Sequence, residues 1–356
     1  MATQPPIRFG ITGTGGIAGF HASVLKDLEG EGLARLVAGA DPSPKQRQAF
    51  TEKWGVPVEE SLEKLLARGD IDAVSVCSPS GMHGQNCIDI AKSGRHVLTE
   101  KPLDLKYDKA KEAVETAQKS GVVLGGIFQQ RFSEATQKVK RAIDQGYFGQ
   151  IILCHGECPW YRDQAYYDSG KWRGTWEFDG GVMSNQAPHM IDRLLWLAGD
   201  VDDVLCASAT PGFLRNIEAE TLANANLRFK NGALGTIIGT TLAYEGMPQR
   251  VMVCGTDGSA VLTGDDLTYF KTRNAFTDSA APASPTFAGD QTQKNNKSAS
   301  DPLAMPTAGH LANMRDFCEA LRDGRPPLVS GEDLLRVVRV LNLIYTRANV
   351  GPYARK

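Results

Sequence analysis

The residues best placed to do chemistry are Glu100-Lys101-Pro102, which follow the apolar run His96-Val97-Leu98-Thr99. In a doubly wound sheet, a lysine directly after a strand stands on the edge where ligands bind. Its ammonium can exchange a proton with a bound hydroxyl, and a nicotinamide ring beside it would lower its pKa toward the useful range. Any surface turn can carry the same triplet, so its meaning comes from a second motif, Gly13-Thr14-Gly15-Gly16-Ile17-Ala18. That motif follows the strand-like run Ile7–Ile11 and opens a stretch with helical spacing at Phe20, Val24, Leu25 and Leu28. In this context Gly13-x-Gly15-x-x-Ala18 reads as a dinucleotide fingerprint. Gly13 permits the tight turn, Gly15 lets the backbone approach a pyrophosphate, and Ala18 allows close helix–strand packing. The helix N-terminus at Gly16-Ile17 favours phosphates. A glycine-rich turn without a ligand is the plain alternative.

Asp41 ends the next strand-like run, Leu36–Ala40, at the distance expected for the acid that binds the adenosine ribose. Its charge repels a 2′-phosphate, so NAD is expected rather than NADP. Lys45 and Arg47 could blunt that repulsion, and a turn or helix cap before Pro42 is compatible with the same position. A third group runs from Gly180-Gly181 through Asn185, His189 and Asp192. Read as one helix opened by the glycine pair, it puts Asn185, His189 and Asp192 at i, i+4 and i+7 on one face. A polar stripe on an otherwise apolar helix needs partners, and a substrate could be one. A histidine satisfied internally is the alternative. Upstream, Tyr161-Arg162, Tyr166-Tyr167 and Lys171–Trp176 offer aromatic faces and guanidinium groups for sugar or cofactor contact, Trp172 and Arg173 foremost. Cys154-His155-x-x-Cys158 looks superficially like a metal site. On a strand, however, the two cysteines face one side and His155 the other with no fourth ligand in view, so no metal is expected.

The elements that position these residues fall into two styles. Up to Leu124, strands alternate with single helices, at Leu36–Ala40, Ala73–Cys77, His96–Glu100 and Val122–Leu124, with a helix over Tyr107–Lys119. This predicts an α/β Rossmann domain with a doubly wound parallel sheet over residues 1–127. Right-handed crossovers then put the strand ends on one edge. From residue 128 to 356 the pattern changes. After a helix around Ala135–Ile143 and a strand over Ile151–Glu157, strand-like runs succeed one another at Val204–Thr210, Thr221–Phe229, Ala233–Leu242, Arg250–Cys254 and Ser259–Leu262. They predict an antiparallel meander, part of an α/β domain with a large open, mostly antiparallel sheet. Leu222, Asn224, Asn226 and Arg228 alternate with Ala223, Ala225, Leu227 and Phe229, which predicts one solvated or subunit-facing side. Phe276–Thr307 reads as a long loop, and two helices, Leu311–Leu321 and Glu332–Thr346, close the chain.

Composition narrows the classes. At 356 residues the chain exceeds what one core usually supports. A net charge of −2 gives no footing for nucleic acid, and no apolar run is long enough to span a membrane. The N-terminus lacks the features of a signal peptide. Seven cysteines, an odd count, fit reduced thiols in a cytoplasm.

Taken together, Gly13–Ala18, Ser78-Pro79-Ser80 with His83, Glu100-Lys101-Pro102, Gln129–Phe132 and Gly180–Asp192 resemble the glucose–fructose oxidoreductase, inositol dehydrogenase and rhizopine-catabolism family (Gfo/Idh/MocA), over nearly the whole chain. The resemblance implies a nucleotide-binding domain followed by an open-sheet domain that makes homodimer or homotetramer contacts, and a sugar, polyol or related substrate. Lys101 then matches the catalytic lysine, with its bond to Pro102 a candidate for cis, and His189 matches the histidine that assists at the same hydroxyl. Ser78, Pro79, Ser80, His83, Glu100, Gln129, Trp172 and Arg173 are expected to join Gly13, Thr14, Gly15, Gly16, Ile17 and Asp41 around the cofactor. Arg131, Tyr161, Arg173 and Asn185 are expected near the substrate. Many members have aspartate where this chain has Asn185, and an amide can neither take a proton from the histidine nor carry charge. Asp192 could orient a neighbour instead. Two rival activities share these features. One is a redox-assisted glycosidase or lyase, with Tyr167 or Asp168 as an extra base. The other is a non-catalytic nucleotide-dependent binding protein.

Overall fold

The structure, a computed structural model, describes residues 4–278, 299–300 and 307–355. In chain order the first elements are β1 (Ile7–Thr12), α1 (Gly16–Gly30), β2 (Ala34–Ala40), α2 (Pro44–Trp54), β3 (Val58–Glu59), α3 (Leu62–Leu66), β4 (Ala73–Val76), α4 (His83–Lys92), β5 (His96–Thr99), α5 (Tyr107–Lys119) and β6 (Leu124–Gly126). There follow α6 (Glu134–Asp144), β7 (Ile151–Pro159), α7 (Gln164–Asp168), α8 (Val182–Asn185), α9 (Pro188–Ala198), β8 (Val201–Pro211), β9 (Glu220–Phe229) and β10 (Leu234–Thr240). The last are β11 (Arg250–Gly255), β12 (Gly258–Thr263), β13 (Asp266–Thr272), α10 (Thr307–Asp323) and α11 (Gly331–Ala348). They form two compact units, Met1–Ile127 with Pro306–Leu335, and Phe128–Met305 with Arg336–Lys356.

In the first unit the strands lie in the order β3-β2-β1-β4-β5-β6, and every pairing is parallel. Residues of β4 are buried throughout, as a parallel sheet covered on both faces requires. The register does the positioning. Thr12 stands opposite Ala40 and Val76, Val76 opposite Thr99, and Thr99 opposite Gly126. The next residues, Gly13, Asp41, Cys77, Glu100 and Ile127, therefore share one edge. The core gathers Phe9, Ile11, Val24, Leu25 and Leu28 with Met314, Phe317 and Cys318 of α10. Sequence order alone groups α10 with residues 128–356, yet it packs here. The ring of Phe317 sits edge-on to Phe9 at 6.2 Å, and Asn313 donates to the Gly126 carbonyl at 3.0 Å. The last strand also starts two residues later than the apolar run Val122–Leu124 predicts, because the pairing uses Leu124, Gly125 and Gly126. A side chain at Gly125 would meet the Phe317 ring.

The second unit carries a sheet ordered β13-β12-β11-β7-β10-β9-β8. The expected meander is broken, because β7 lies between β11 and β10 and runs parallel to β10. The alternation in β9 is as expected, with Ala223, Ala225, Leu227 and Phe229 buried and Asn224, Asn226 and Arg228 exposed. Helices α6, α8 and α9 pack on the sheet, and Leu153, Leu234, Ile238 and Tyr269 remain exposed. The single helix read through Asn185, His189 and Asp192 is in fact two. Helix α8 ends at Asn185, and Pro188 starts α9 at the first helical position, where its missing N–H costs no hydrogen bond. Most of Phe276–Thr307 lies outside the described residues.

Candidate active site

The phosphate turn is built by backbone constraint. Gly13 has φ +81°, and a Cβ there would come within 2.7 Å of the Ser78 backbone nitrogen, so only glycine lets β1 turn against the end of β4. Gly15 is the residue before α1, and nothing lies within 4 Å of where its Cβ would be. The first turn of this 15-residue helix, Gly16-Ile17 included, carries no acidic residue. An open space at an unopposed helix N-terminus fits a pyrophosphate. Asp41 ties this turn to β2. One carboxylate oxygen accepts from Thr14 N at 2.8 Å and the other from Ser43 N at 2.8 Å. The turn-capping role open to Asp41 in sequence is thus present in the structure. Arg47 curls onto the Asp41 and Pro42 carbonyls at 3.0 and 2.9 Å.

The neighbouring loops are strapped by side chains. His83 is buried, with Nδ1 2.7 Å from the Pro102 carbonyl and Nε2 2.7 Å from the Ser78 carbonyl. The ring thus sits between the Ser78-Pro79-Ser80 loop and Lys101-Pro102, whose peptide is cis; a neutral imidazole has one N–H, so it donates to one of the two carbonyls. Burial outweighs the two carbonyls and lowers the His83 pKa. Ser78 Oγ accepts from Asn86 at 2.8 Å, and Ser80 is buried.

Glu100 is turned inward. Its Oε1 lies 3.0 Å from His21 Nε2 and 3.6 Å from His310 Nε2, and its Oε2 accepts from Lys101 N at 3.2 Å. His21 Nδ1 is 2.6 Å from Ser75 Oγ. The Nε2–H tautomer of His21 satisfies both contacts. Burial would push the Glu100 carboxyl up, but the hydrogen bonds and charges of His21 and His310 together hold it well below its ordinary value. Among the described residues, these are the three whose ligand atoms all lie within 4.8 Å of one another. The single oxygen facing both imidazoles is explained by hydrogen bonding. Lys101, half-buried, follows directly at the end of β5. A cleft lined by His96, Val122, Pro326 and Glu332 opens at the other end of these strands, away from the glycine turn.

In the second unit, Arg131 and Asp192 were both expected to border the substrate or orient its neighbours. They pair with each other, so the neighbour that Asp192 orients is Arg131. Arg131 Nε and Nη2 donate to the two Asp192 oxygens at 2.8 and 2.5 Å, both side chains are 1% exposed, and the guanidinium lies 5.3 Å from the Trp196 ring. Arg131 thus ties the turn Gln129–Phe132 to α9. His189 is buried, its ring edge-on to Phe128 at 5.8 Å. Gln129 is half-buried in the same turn. Arg173 lies over the Tyr166 and Trp172 rings at 4.3 and 4.5 Å and donates to Tyr166 Oη at 2.7 Å. Tyr161 meets Tyr244 edge-on at 5.5 Å. Tyr167, one candidate extra base, donates to or accepts from Thr241 at 2.9 Å, and burial pushes its pKa up to about 12. Asp168, the other, is exposed and accepts from Gln164 at 2.9 Å.

Sequence reading missed two acids and their partners. Asp179, buried just before the glycine pair, receives the Asn185 amide nitrogen and the Gly174 N–H, the latter at 2.7 Å. Glu220 of β9 accepts from Met183 N at 3.0 Å and Tyr345 Oη at 2.8 Å, capping α8 from a distant strand. Gly181 is required there, since any Cβ would overlap the Glu220 carboxylate. Tyr345 also pairs with Ser184 Oγ at 2.8 Å. Burial, helped by the Asp179 charge, raises Glu220 to about 7. Only Asp179 had a signal in sequence, its place beside Gly180-Gly181.

Residues 7–128 match the family described as "Oxidoreductase family, NAD-binding Rossmann fold", and residues 136–261 match the "GFO/IDH/MocA C-terminal domain". The myo-inositol 2-dehydrogenase of Thermotoga maritima is 27% identical over 336 residues, 92% of each chain. The scyllo-inositol 2-dehydrogenase (NAD(+)) of Bacillus subtilis is 26% identical, over 92% of this chain and 90% of that one. Among solved structures, the WlbA dehydrogenase from Bordetella pertussis, in complex with NADH and UDP-GlcNAcA, superposes with a TM-score of 0.83 at 32% identity over 96% of each chain.

Proposed function

We propose that this chain, which belongs to the GFO/IDH/MocA oxidoreductase family and carries its NAD-binding Rossmann domain, oxidises a secondary hydroxyl of a cyclic sugar, polyol or sugar derivative. One observation carries the reading. The register of the parallel sheet aligns the Gly13 turn, Asp41 and the Glu100-Lys101 pair on one edge. Bound NAD supplies the hydride acceptor at its nicotinamide ring. The chain's own part is to bind, orient and move a proton. The α1 N-terminus holds the pyrophosphate and Asp41 the ribose. Lys101 Nζ takes the proton from the substrate hydroxyl, and its backbone N–H is anchored on Glu100. To His189 we assign a hydrogen bond to a substrate hydroxyl. Relatives named for inositols, and a neighbour holding a nucleotide-linked sugar acid, support a ring substrate with adjacent hydroxyls.

The test is NADH fluorescence from NAD with a panel of myo-inositol, scyllo-inositol, glucose, methyl glucosides and UDP-linked sugar acids. At least one should yield NADH, and Lys101→Met should lose roughly 10²- to 10⁴-fold in turnover while binding NADH within several-fold of the unmodified protein. Near-normal turnover by Lys101→Met would remove that residue from the mechanism. A protein that binds NADH but oxidises nothing on the panel overturns the substrate class.

A further inference from the structure

We propose that Asp179 is a positioning residue for Asn185, fixing which end of the amide is offered onward and placing the local negative charge one residue layer behind it. The consequence for turnover rests on the dehydrogenase reading above; the pairing itself does not. Asp179 is 1% exposed. One of its oxygens accepts from Gly174 N at 2.7 Å, and the other faces the Asn185 amide nitrogen in a short hydrogen bond. Both oxygens face N–H groups, so the carboxyl serves as an ionised acceptor. An acceptor-only group admits only the nitrogen end of an amide. Asn185 therefore points its nitrogen back to Asp179, and the amide carbonyl is fixed at the other end.

The surroundings fit a buried anion. After burial itself, the Asp179 charge is among the causes that raise Tyr166, Tyr167 and Glu220. Tyr166 and Tyr167 lie on α7 and Glu220 on β9, and the Arg162 and Arg173 charges act on Tyr166 in the opposite direction. The two loops that Asp179 joins are both tight. Gly174 has φ +68° with Ile217 where a Cβ would be, and Gly180 has φ +68°. The carboxylate thus links the Trp172–Trp176 turn to the end of α8 through donors that no neutral residue of the same shape could satisfy at both ends.

A charge swap tests this. Asn185→Asp alone sets a second carboxylate against Asp179, and two such groups in contact cannot both ionise. The pair then keeps a proton to a pH well above the ordinary carboxylate range. Its folded pKa lies above its unfolded one, so stability is present at acid pH and lost as pH rises. Asp179→Asn alone turns an amide nitrogen toward one of two donors. In the double variant, Asp179→Asn with Asn185→Asp, every group is satisfied again. The new amide's oxygen accepts from Gly174 N–H, and its nitrogen donates to the new carboxylate.

The expected result is a melting temperature for Asn185→Asp that falls by several degrees more than the unmodified protein's between pH 5 and pH 8. The double variant should recover both the value at pH 8 and the flatter profile. On whichever panel sugar yields NADH, Asn185→Asp should lose kcat roughly tenfold or more at pH 8, and less at pH 6, with the double variant regaining part of it. A melting profile for Asn185→Asp parallel to the unmodified protein's, or a double variant no more stable than the single one, overturns the proposal. If melting follows the swap but no protein forms NADH, the pairing stands and the dehydrogenase reading falls.

Discussion

Glu100 in the first unit and Glu220 in the second are both buried glutamates, and they differ in what faces them. Glu100 has two imidazoles on one oxygen and a backbone N–H on the other. Glu220 has a tyrosine hydroxyl and a backbone N–H on one oxygen, with the Asp179 charge near. Burial pushes both up; the histidines reverse it for Glu100, and nothing of comparable strength does so for Glu220. Burial sets how large a shift can be, and the partner sets its sign. The sheet edge is thereby built around a carboxylate that stays charged, next to Lys101. The glycine-pair helix rests on one that titrates near neutrality.

Asp192 belongs with Glu100, because its partner is the Arg131 guanidinium. Arg131→Met would convert it to the other kind, a buried carboxylate without its cation. Breaking such a pair costs about 3–5 kcal/mol. Urea unfolding at pH 7 should show a loss of that size. Part of it should return on acidification, because an unpaired buried Asp192 has a raised folded pKa and its cost fades as pH falls. A loss under about 1 kcal/mol would mean that Asp192 is accommodated without the Arg131 cation.

The second prediction sharpens the contrast from the Glu220 side. With a folded pKa of about 7 against an ordinary 4.5, Glu220 binds more protons folded than unfolded. Its contribution is fully present below pH 4.5 and declines as pH rises toward 7, by about 3 kcal/mol in all. Glu100, with its pKa lowered, has the opposite sign and loses its contribution as pH falls. Glu220→Gln keeps the acceptor for Tyr345 and Met183 and removes the charge. It should therefore be more stable than the unmodified protein at pH 8 and gain nothing at pH 4.5. Chemical unfolding at the two pH values decides it, and equal differences at both would place Glu220 in one protonation state throughout.

The same contrast explains what was legible in sequence. The sheet edge could be read because its parts are backbone features tied to strand ends. Gly13, Asp41 and Glu100 follow their strands directly, with Lys101 next, and parallel pairing brings strand ends into register whatever the intervening lengths. The Asn185 region could not be read in the same way. The partners of α8 come from Asp179, Glu220 and Tyr345, and nothing in the local pattern around Gly181 announces a carboxylate from β9. The break at Pro188 was visible as a proline, but helical spacing continued across it and hid the end of α8. For β7, strand propensity fixed the strand and left its neighbours open, so its place between β10 and β11 came only with the structure. The residues joining α10 to the first unit, Asn313 and Phe317, act through packing that no motif records.

Asp41 tests how far the contrast extends toward solvent. It is half-buried, its two oxygens take the N–H groups of Thr14 and Ser43, and its charge faces the ribose position. Removing it should act twice. Loss of both backbone anchors loosens the phosphate turn and weakens NADH and NADPH alike. Loss of the charge relieves only NADPH, and Arg47, held against the Asp41 and Pro42 carbonyls, is close enough in sequence and space to favour the added phosphate. Asp41→Ser should thus lower affinity for NADH and narrow its preference over NADPH by several-fold, about 1 kcal/mol for a charge of this exposure. Fluorescence titration with both reduced cofactors measures it. A preference unchanged by Asp41→Ser would assign the carboxylate to the turn alone. An unmodified protein that binds NADPH as tightly as NADH would mean that Arg47 already cancels the repulsion from Asp41.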